Sequence, residues 1–276
     1  MSREKPKQRK RKRPTIAETA DKHIYYEKAV QSVEAEIDFI DRIYRKLRGR
    51  RACKLREDFC GTTNASCEWV RRRSSNTAYC VDIDPSVLDW GRRHHINQLT
   101  RHQADRIHLI NNDVFHAKTP RVDVVAAMNF SYWFLKTRTA LRRYFRKAYS
   151  NLAADGILFI DAFGGSEAVM EIKEKTRHRD FTYIWDQARY NPITGAALMH
   201  IHFQFKDGSI MKKAFTYDWR LWTLPELAEI LQEAGFNPTV YWEGEDRNGK
   251  GNGIFTPTTE GTADAGWIAY IVAEKR

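Results

Sequence analysis

The sequence predicts an α/β fold: a mostly parallel sheet of about seven strands, preceded by a helix and interrupted late by an inserted antiparallel hairpin. Three observations carry this. From residue 51 to residue 165, short apolar runs alternate with helix-length amphipathic stretches, the rhythm of strand–helix–strand units. Several of those runs end in acids or small polar residues, at the edge where a parallel sheet takes its ligands. After Gly164-Gly165, long alternating segments flank Asp207-Gly208, a hairpin turn signal.

The 276 residues are 42% hydrophobic, enough for one well-buried core with attachments. They divide into a basic arm (1–14), a helical segment (15–50), a core (51–165), an insert (166–220) and a return to the core (221–276). The formal charge of +11 is concentrated, because residues 1–13 hold eight Lys or Arg against the single acid Glu4. The run KPKQRKRKRP has nothing apolar to bury and reads as a solvated, disordered arm. It is either a solubilising tail or an attraction to the phosphates of nucleic acid or ribosomes. No run approaches the roughly 18 apolar residues of a membrane span, and the first thirty residues lack a secretory apolar stretch, so a cytoplasmic protein is expected. Cys53, Cys60, Cys67 and Cys80 lack the paired CxxC spacing of a zinc site, so reduced thiols and no bound metal are expected.

Each element has its own warrant. Val30, Val33, Ile37, Ile40, Tyr44 and Leu47 recur in steps of three and four, which predicts a long N-terminal helix packing on the protein's own core. Strands are predicted near residues 53–58, 78–83, 107–111, 122–128 and 156–162. Helices fit between them over Asn64–Arg73, Pro85–Leu99 and Thr137–Ala154. After Gly165, a charged stretch predicted to be helical leads to a strand over Phe181–Tyr190, then to ALMHIHFQF, the Asp207-Gly208 turn and SIMKKAFTYDW. Leu224-Pro225-Glu226 opens a helix ending near Gly235, and a strand near Thr239–Trp242 follows. GEDRNGKGNGIF reads as a Gly-rich loop and WIAYIV as the last strand.

The chemistry concentrates at strand ends. Glu57, Asp58, Phe59, Cys60, Gly61 and Thr62 follow the first strand and open a helix, a place where backbone N–H groups meet anions and acids take amines or ribose hydroxyls. Glu57 to Thr63 resembles the first motif of the class I S-adenosylmethionine-dependent methyltransferases, acid-any-Gly-any-Gly-any-Gly, with Phe59 and Thr63 at two of the glycine positions. The resemblance runs over roughly residues 20–275, and it implies a Rossmann-like sheet and S-adenosyl-L-methionine as cofactor. Asp82, with Ile83 beside it, ends the second strand and would hold the ribose; Asp84 caps the following helix. In the family an acid after the third strand bonds the adenine amino group, a role carried to Asp113 with its neighbours Asn112 and Val114. Asn129 and Phe130 correspond to the fourth motif, and Tyr26 and Phe130 are candidates to face the sulfonium.

The insert carries Trp185, His200, His202 and Tyr217, expected with Tyr132 and Trp133 to touch the acceptor, the insert acting as a lid or, alternatively, as a sheet extension or dimer surface. His200, His202 and Tyr217 are the available proton acceptors, and no catalytic base is assigned among them. The reading therefore implies methyl transfer to a nitrogen or oxygen of a small-molecule acceptor, with a homodimer allowed for. Its alternatives are a methyltransferase acting on RNA or a ribosomal protein, suggested by the basic arm, and a non-catalytic binding protein, suggested by the two absent glycines.

Overall fold

The computed structural model describes residues 13–247 and 249–275. The basic arm lies almost wholly outside the described residues.

The N-terminal segment is three helices rather than one long helix: α1 (Ile16–Thr19), α2 (Lys22–Val30) and α3 (Val33–Arg48). A new start signal inside the stretch explains the first break. Asp21 accepts the backbone N–H of His23 at 2.9 Å and so caps α2. The pieces then pack on different partners. α3 buries Ile37, Phe39, Ile40, Ile43 and Tyr44 against one face of the main sheet, whereas α2 turns Tyr25 and Tyr26 toward the insert.

The core follows as β1 (Lys54–Asp58), α4 (Asn64–Arg72), β2 (Thr77–Asp82), α5 (Pro85–His94), α6 (Arg101–Ala104), β3 (Ile107–Asn111), β4 (Val122–Ala127), α7 (Arg138–Asn151) and β5 (Leu152–Gly164). The insert contributes β6 (Lys173–Arg177), β7 (Phe181–Asn191), β8 (Ala196–Phe205) and β9 (Ile210–Arg220). The chain closes with α8 (Leu224–Glu233), β10 (Phe236–Glu245), β11 (Gly251–Pro257) and β12 (Trp267–Lys275).

The main sheet has eight strands in the order β11-β10-β12-β5-β4-β1-β2-β3. β1 to β5 run parallel, while β12 is antiparallel to both β5 and β10. Glu57 pairs in register with Cys80, and Asp82 with Asn111, so the carboxyl ends of β1, β2 and β3 share one edge. Helices α7 and α8 cover one face through Leu141, Phe145, Leu227 and Ile230; α3 and α4 cover the other.

Three expectations are corrected. The insert is a four-stranded antiparallel sheet, β6-β7-β8-β9, rather than a hairpin. Its first strand replaces the predicted charged helix: Lys173–Arg177 pairs along β7, where tertiary pairing overrides local preference, and its exposed charges guard a sheet edge. The Gly-rich loop is in part a strand, because β11 pairs antiparallel with β10 and lengthens the main sheet to eight.

Candidate functional site

The loop after β1 is built from backbone conformations that favour glycine. Phe59 at φ 59°, Gly61 at 52° and Thr63 at 62° are all left-handed, so the two residues standing at glycine positions adopt the glycine conformation themselves. That strain costs on the order of 1–3 kcal/mol per residue and persists only where the surroundings hold it. Here they do. Asp82 Oδ2 accepts the Gly61 N–H at 2.9 Å, Cys60 N donates to the Val81 carbonyl at 3.1 Å, and Thr62 Oγ1 donates to Glu27 of α2 at 2.6 Å. Gly91 of α5 lets that helix sit directly on the loop, since a Cβ there would lie 2.3 Å from the Thr62 carbonyl oxygen.

This loop floors a cavity of about 170 Å³ that the walls close with Tyr26, Glu36, Glu57, Asn129 and Phe215. Glu57 accepts from Ser66 N at 3.1 Å and from the Ser66 hydroxyl, which ties it to the first turn of α4. Burial pushes the carboxyls of Glu36 and Glu57 up to about 7 each, and the charge of Glu36 raises Glu57 further. Burial likewise raises Asp82. Carboxyl groups gathered in a partly enclosed cleft favour a cationic guest.

A second cavity of about 530 Å³ adjoins it, sharing Tyr26, Asn129 and Tyr217 as common wall. Its sides are aromatic: Phe130 and Phe163 from the core, Tyr183, Trp185 and Trp219 from the insert, Trp267 from β12. Its charged wall residues are Glu167, Glu174 and Glu243, with no Lys, Arg or His among the lining residues. The Tyr26 and Tyr217 hydroxyls hydrogen-bond each other, and burial pushes the Tyr26 phenol up to about 12 and raises that of Tyr217 well above its usual value. Both therefore stay protonated near neutrality.

Of the sequence-predicted residues, Tyr26, Glu57, Phe59, Gly61, Thr62 and Asn129 meet at the smaller cavity. Phe130, Trp185 and Tyr217 meet at the larger. Asp82, Ile83, Asn112 and Asp113 lie outside both cavities on the adjoining strand ends; Ile83 is 69% exposed, and Asp113 accepts the Phe115 N–H at 2.7 Å. Val114 is buried, and its carbonyl accepts from Arg56 at 3.0 Å.

Several placements differ from expectation. Asp58 touches the cleft wall, but its carboxylate is committed to Arg56 Nε at 2.7 Å and to the Tyr144 hydroxyl at 3.1 Å. Cys60 lines the smaller cavity, with its side chain buried beside Cys80. Tyr132 and Trp133, expected to touch the acceptor, are fully buried: Tyr132 donates to the Asp161 carbonyl at 2.7 Å and Trp133 stacks on Phe163. His200 and His202 lie on the far face of the insert. The register partners of His200, Asp186 and Thr216, and that of His202, Ile184, line neither cavity, whereas Trp185 opposite Ile201 and Tyr217 opposite Met199 face into the larger one. His202 Nε2 contacts Asp186 at 3.0 Å and His200 Nδ1 contacts Thr216 at 3.0 Å.

The sequence reading missed Glu36 and Asp161. Glu36 lies one residue before Ile37 on the buried side of α3, an acid where the apolar stripe leaves no room for solvent. Among the described residues, no cluster of three or more His, Cys, Asp or Glu is arranged to hold a metal.

No protein-family profile matches the chain, and no curated protein matches it by sequence. Solved structures do match. One is an S-adenosylmethionine-dependent methyltransferase from Clostridium acetobutylicum, at TM-score 0.67 and 14% identity over 92% of this chain and 96% of that one. Another is an amino pentose methyltransferase from Micromonospora echinaspora with S-adenosylmethionine bound, at 0.65 and 17% over 92% and 96%. A third is a sugar N-methyltransferase from Streptoalloteichus sp., at 0.64 and 17% over 93% of each chain. The fold is that of the class I methyltransferases. In this methyltransferase fold the loop after β1 and the turn after β4 converge on the two cavities. Among the described residues no helix is long and apolar enough to cross a membrane.

Proposed function

We propose that the protein transfers a methyl group from S-adenosyl-L-methionine to a nitrogen of a small-molecule acceptor, with oxygen the second choice. The observation that carries this is the shared wall: a small acidic cleft at the end of β1 adjoins a larger aromatic chamber across Tyr26, Asn129 and Tyr217. The cofactor supplies an electrophilic methyl on a cationic sulfonium, and the chain's own residues align and enclose it.

The donor set suits that guest. Glu57 and Glu36 offer carboxylates to an ammonium, and the first turn of α4, reached through Ala65, faces the same cleft and suits a carboxylate. Asp82 takes ribose hydroxyls, while the exposed face of Ile83 and the Asn112–Asp113 turn receive the adenine. Tyr26, at the junction, presents its ring to the sulfonium side.

Nitrogen is favoured because the chamber walls carry three carboxylates and no cationic side chain. The sugar and glycopeptide N-methyltransferases among the structural matches support the same choice. Of the proton-acceptor candidates His200, His202 and Tyr217, Tyr217 alone lines the chamber and it stays protonated, so none of the three deprotonates the amine. Calorimetry with S-adenosylhomocysteine tests the cofactor, and methyl-labelled cofactor with a panel of small amines and their hydroxyl counterparts tests the acceptor. No binding of S-adenosylhomocysteine would refute the proposal.

A further inference from the structure

We infer that Asp161 is a positioning residue for methyl transfer: its carboxylate sets the Asn129–Phe130 backbone and so places Asn129 on the wall that the two cavities share. The inference rests on the methyltransferase reading.

Asp161 stands on β5 beside the end of β4, where Ala127 pairs with Ile160. Its Oδ2 accepts the Asn129 N–H at 2.8 Å and its Oδ1 accepts the Phe130 N–H at 2.9 Å. Two successive N–H groups converge on one anion only when the backbone turns both to the same side, and Asn129 at φ 57° with Phe130 at 56° does so. Ordinary residues leave that left-handed conformation unless something holds them. Two further bonds brace the turn: the Tyr132 hydroxyl donates to the Asp161 carbonyl at 2.7 Å, and the Ser131 hydroxyl donates to the Met128 carbonyl at 2.7 Å.

Asp161 is 6% exposed and lines neither cavity, so it touches neither donor nor acceptor. Asn129 lines both. The carboxylate therefore acts through Asn129. An amide in its place would offer one acceptor oxygen and turn an NH₂ toward the second N–H donor, which the loop relieves only by moving Asn129.

The test needs no acceptor. In sinefungin a carbon-borne ammonium replaces the methylsulfonium, so its affinity relative to S-adenosylhomocysteine reads the wall at the point of transfer. Calorimetry on the full chain with Asp161→Asn is expected to leave the Kd for S-adenosylhomocysteine within about twofold and to weaken sinefungin about tenfold, as one misaligned charge-assisted hydrogen bond would. Tyr132→Phe, a milder change that keeps the carboxylate, is expected to shift the same ratio in the same direction by less, and it carries the test if Asp161→Asn does not fold. An unchanged ratio in the folded variants, whether both ligands weaken equally or neither weakens, would overturn the inference and leave Asp161 a core residue. Wild-type protein that binds neither ligand would overturn the methyltransferase reading and the inference with it.

Discussion

At the scale of single residues the site is governed by carboxyl groups held away from water. Glu36, Glu57 and Asp161 are each pushed up to about 7, first by burial. The sign of the consequence follows from linkage. An unfolded glutamate loses its proton near 4.5, the folded one near 7, so the stability it contributes is full below the lower value and is lost as pH rises through the higher. Glu36→Gln is therefore expected to gain stability relative to wild type between pH 5 and pH 8, by on the order of 2–3 kcal/mol, read from denaturant melts without cofactor. Binding of a cationic cofactor reverses the preference, because it favours the ionised acids. Wild-type affinity for S-adenosylmethionine should rise as pH passes through about 7, with proton release visible as a buffer-dependent heat. Glu57→Gln should lose about tenfold in affinity and show a flatter pH profile. A variant that binds as tightly as wild type at pH 8 would remove Glu57 from the cofactor site.

At the scale of elements, close contacts hold the loop after β1 in place. α5 approaches through Gly91, with no space for a methyl against the Thr62 carbonyl. Gly91→Ala is expected to cost about 1–3 kcal/mol and to weaken S-adenosylhomocysteine binding, because α5 or the loop must retreat. Thermal melting and calorimetry on the same samples would show it; a drop in melting temperature with unchanged affinity would mean that α5 alone moves. Beneath the loop, Arg56 is fully buried with Asp58 and the carbonyls of Val114 and Ala117 as partners, and the Tyr144 hydroxyl donates to Asp58 in turn. Asp58→Ala strands that guanidinium and is expected to destabilise by about 3–5 kcal/mol, measured by urea unfolding. The sequence showed two acids in this loop but not which one the core would claim. Glu57 and Asp58 differ by one position, and in a strand that places them on opposite faces.

At the scale of the whole molecule, the N-terminal helices strap the insert to the core. Tyr25 of α2 meets Phe181 and Phe205 edge-on, each at 5.0 Å between ring centroids, while Asp21 at the start of α2 accepts from Trp90 of α5 at 2.6 Å. Glu27, between them, bridges Thr62 and His95. Asp207 of the β8–β9 turn accepts the Ile16 N–H at 2.9 Å, so even the insert's far end is tied to the strap. Tyr25→Ala is expected to lower stability by about 3–5 kcal/mol and to loosen the chamber wall. Limited proteolysis should then cut within residues 166–220 at a rate that wild type resists; an unchanged cleavage pattern would mean that the insert stands without the strap.

The parallel sheet, its strand ends and the placement of Glu57, Asp82 and Asn129 were legible in the sequence, because strand and helix periodicities are local and the acids fall at the ends of apolar runs. The division of the N-terminal helix and the strand at Lys173–Arg177 were not, since each is fixed by a partner distant in the chain. Nor was the exclusion of His200 and His202 from the chamber: alternation along β8 assigns them to one face, but only the packing of the insert on the core decides which face is inner. Glu36 and Asp161 were invisible for the same reason. Asp161 is a lone acid in an apolar run and Glu36 one of several acids on its helix, so no spacing marks either, and their roles arise only when folding brings them against a loop or cleft built by other elements. The sequence by itself determined the order and kind of the elements; the tertiary structure decided which of their polar groups face one another across the site, because that depends on contacts between residues far apart in the chain.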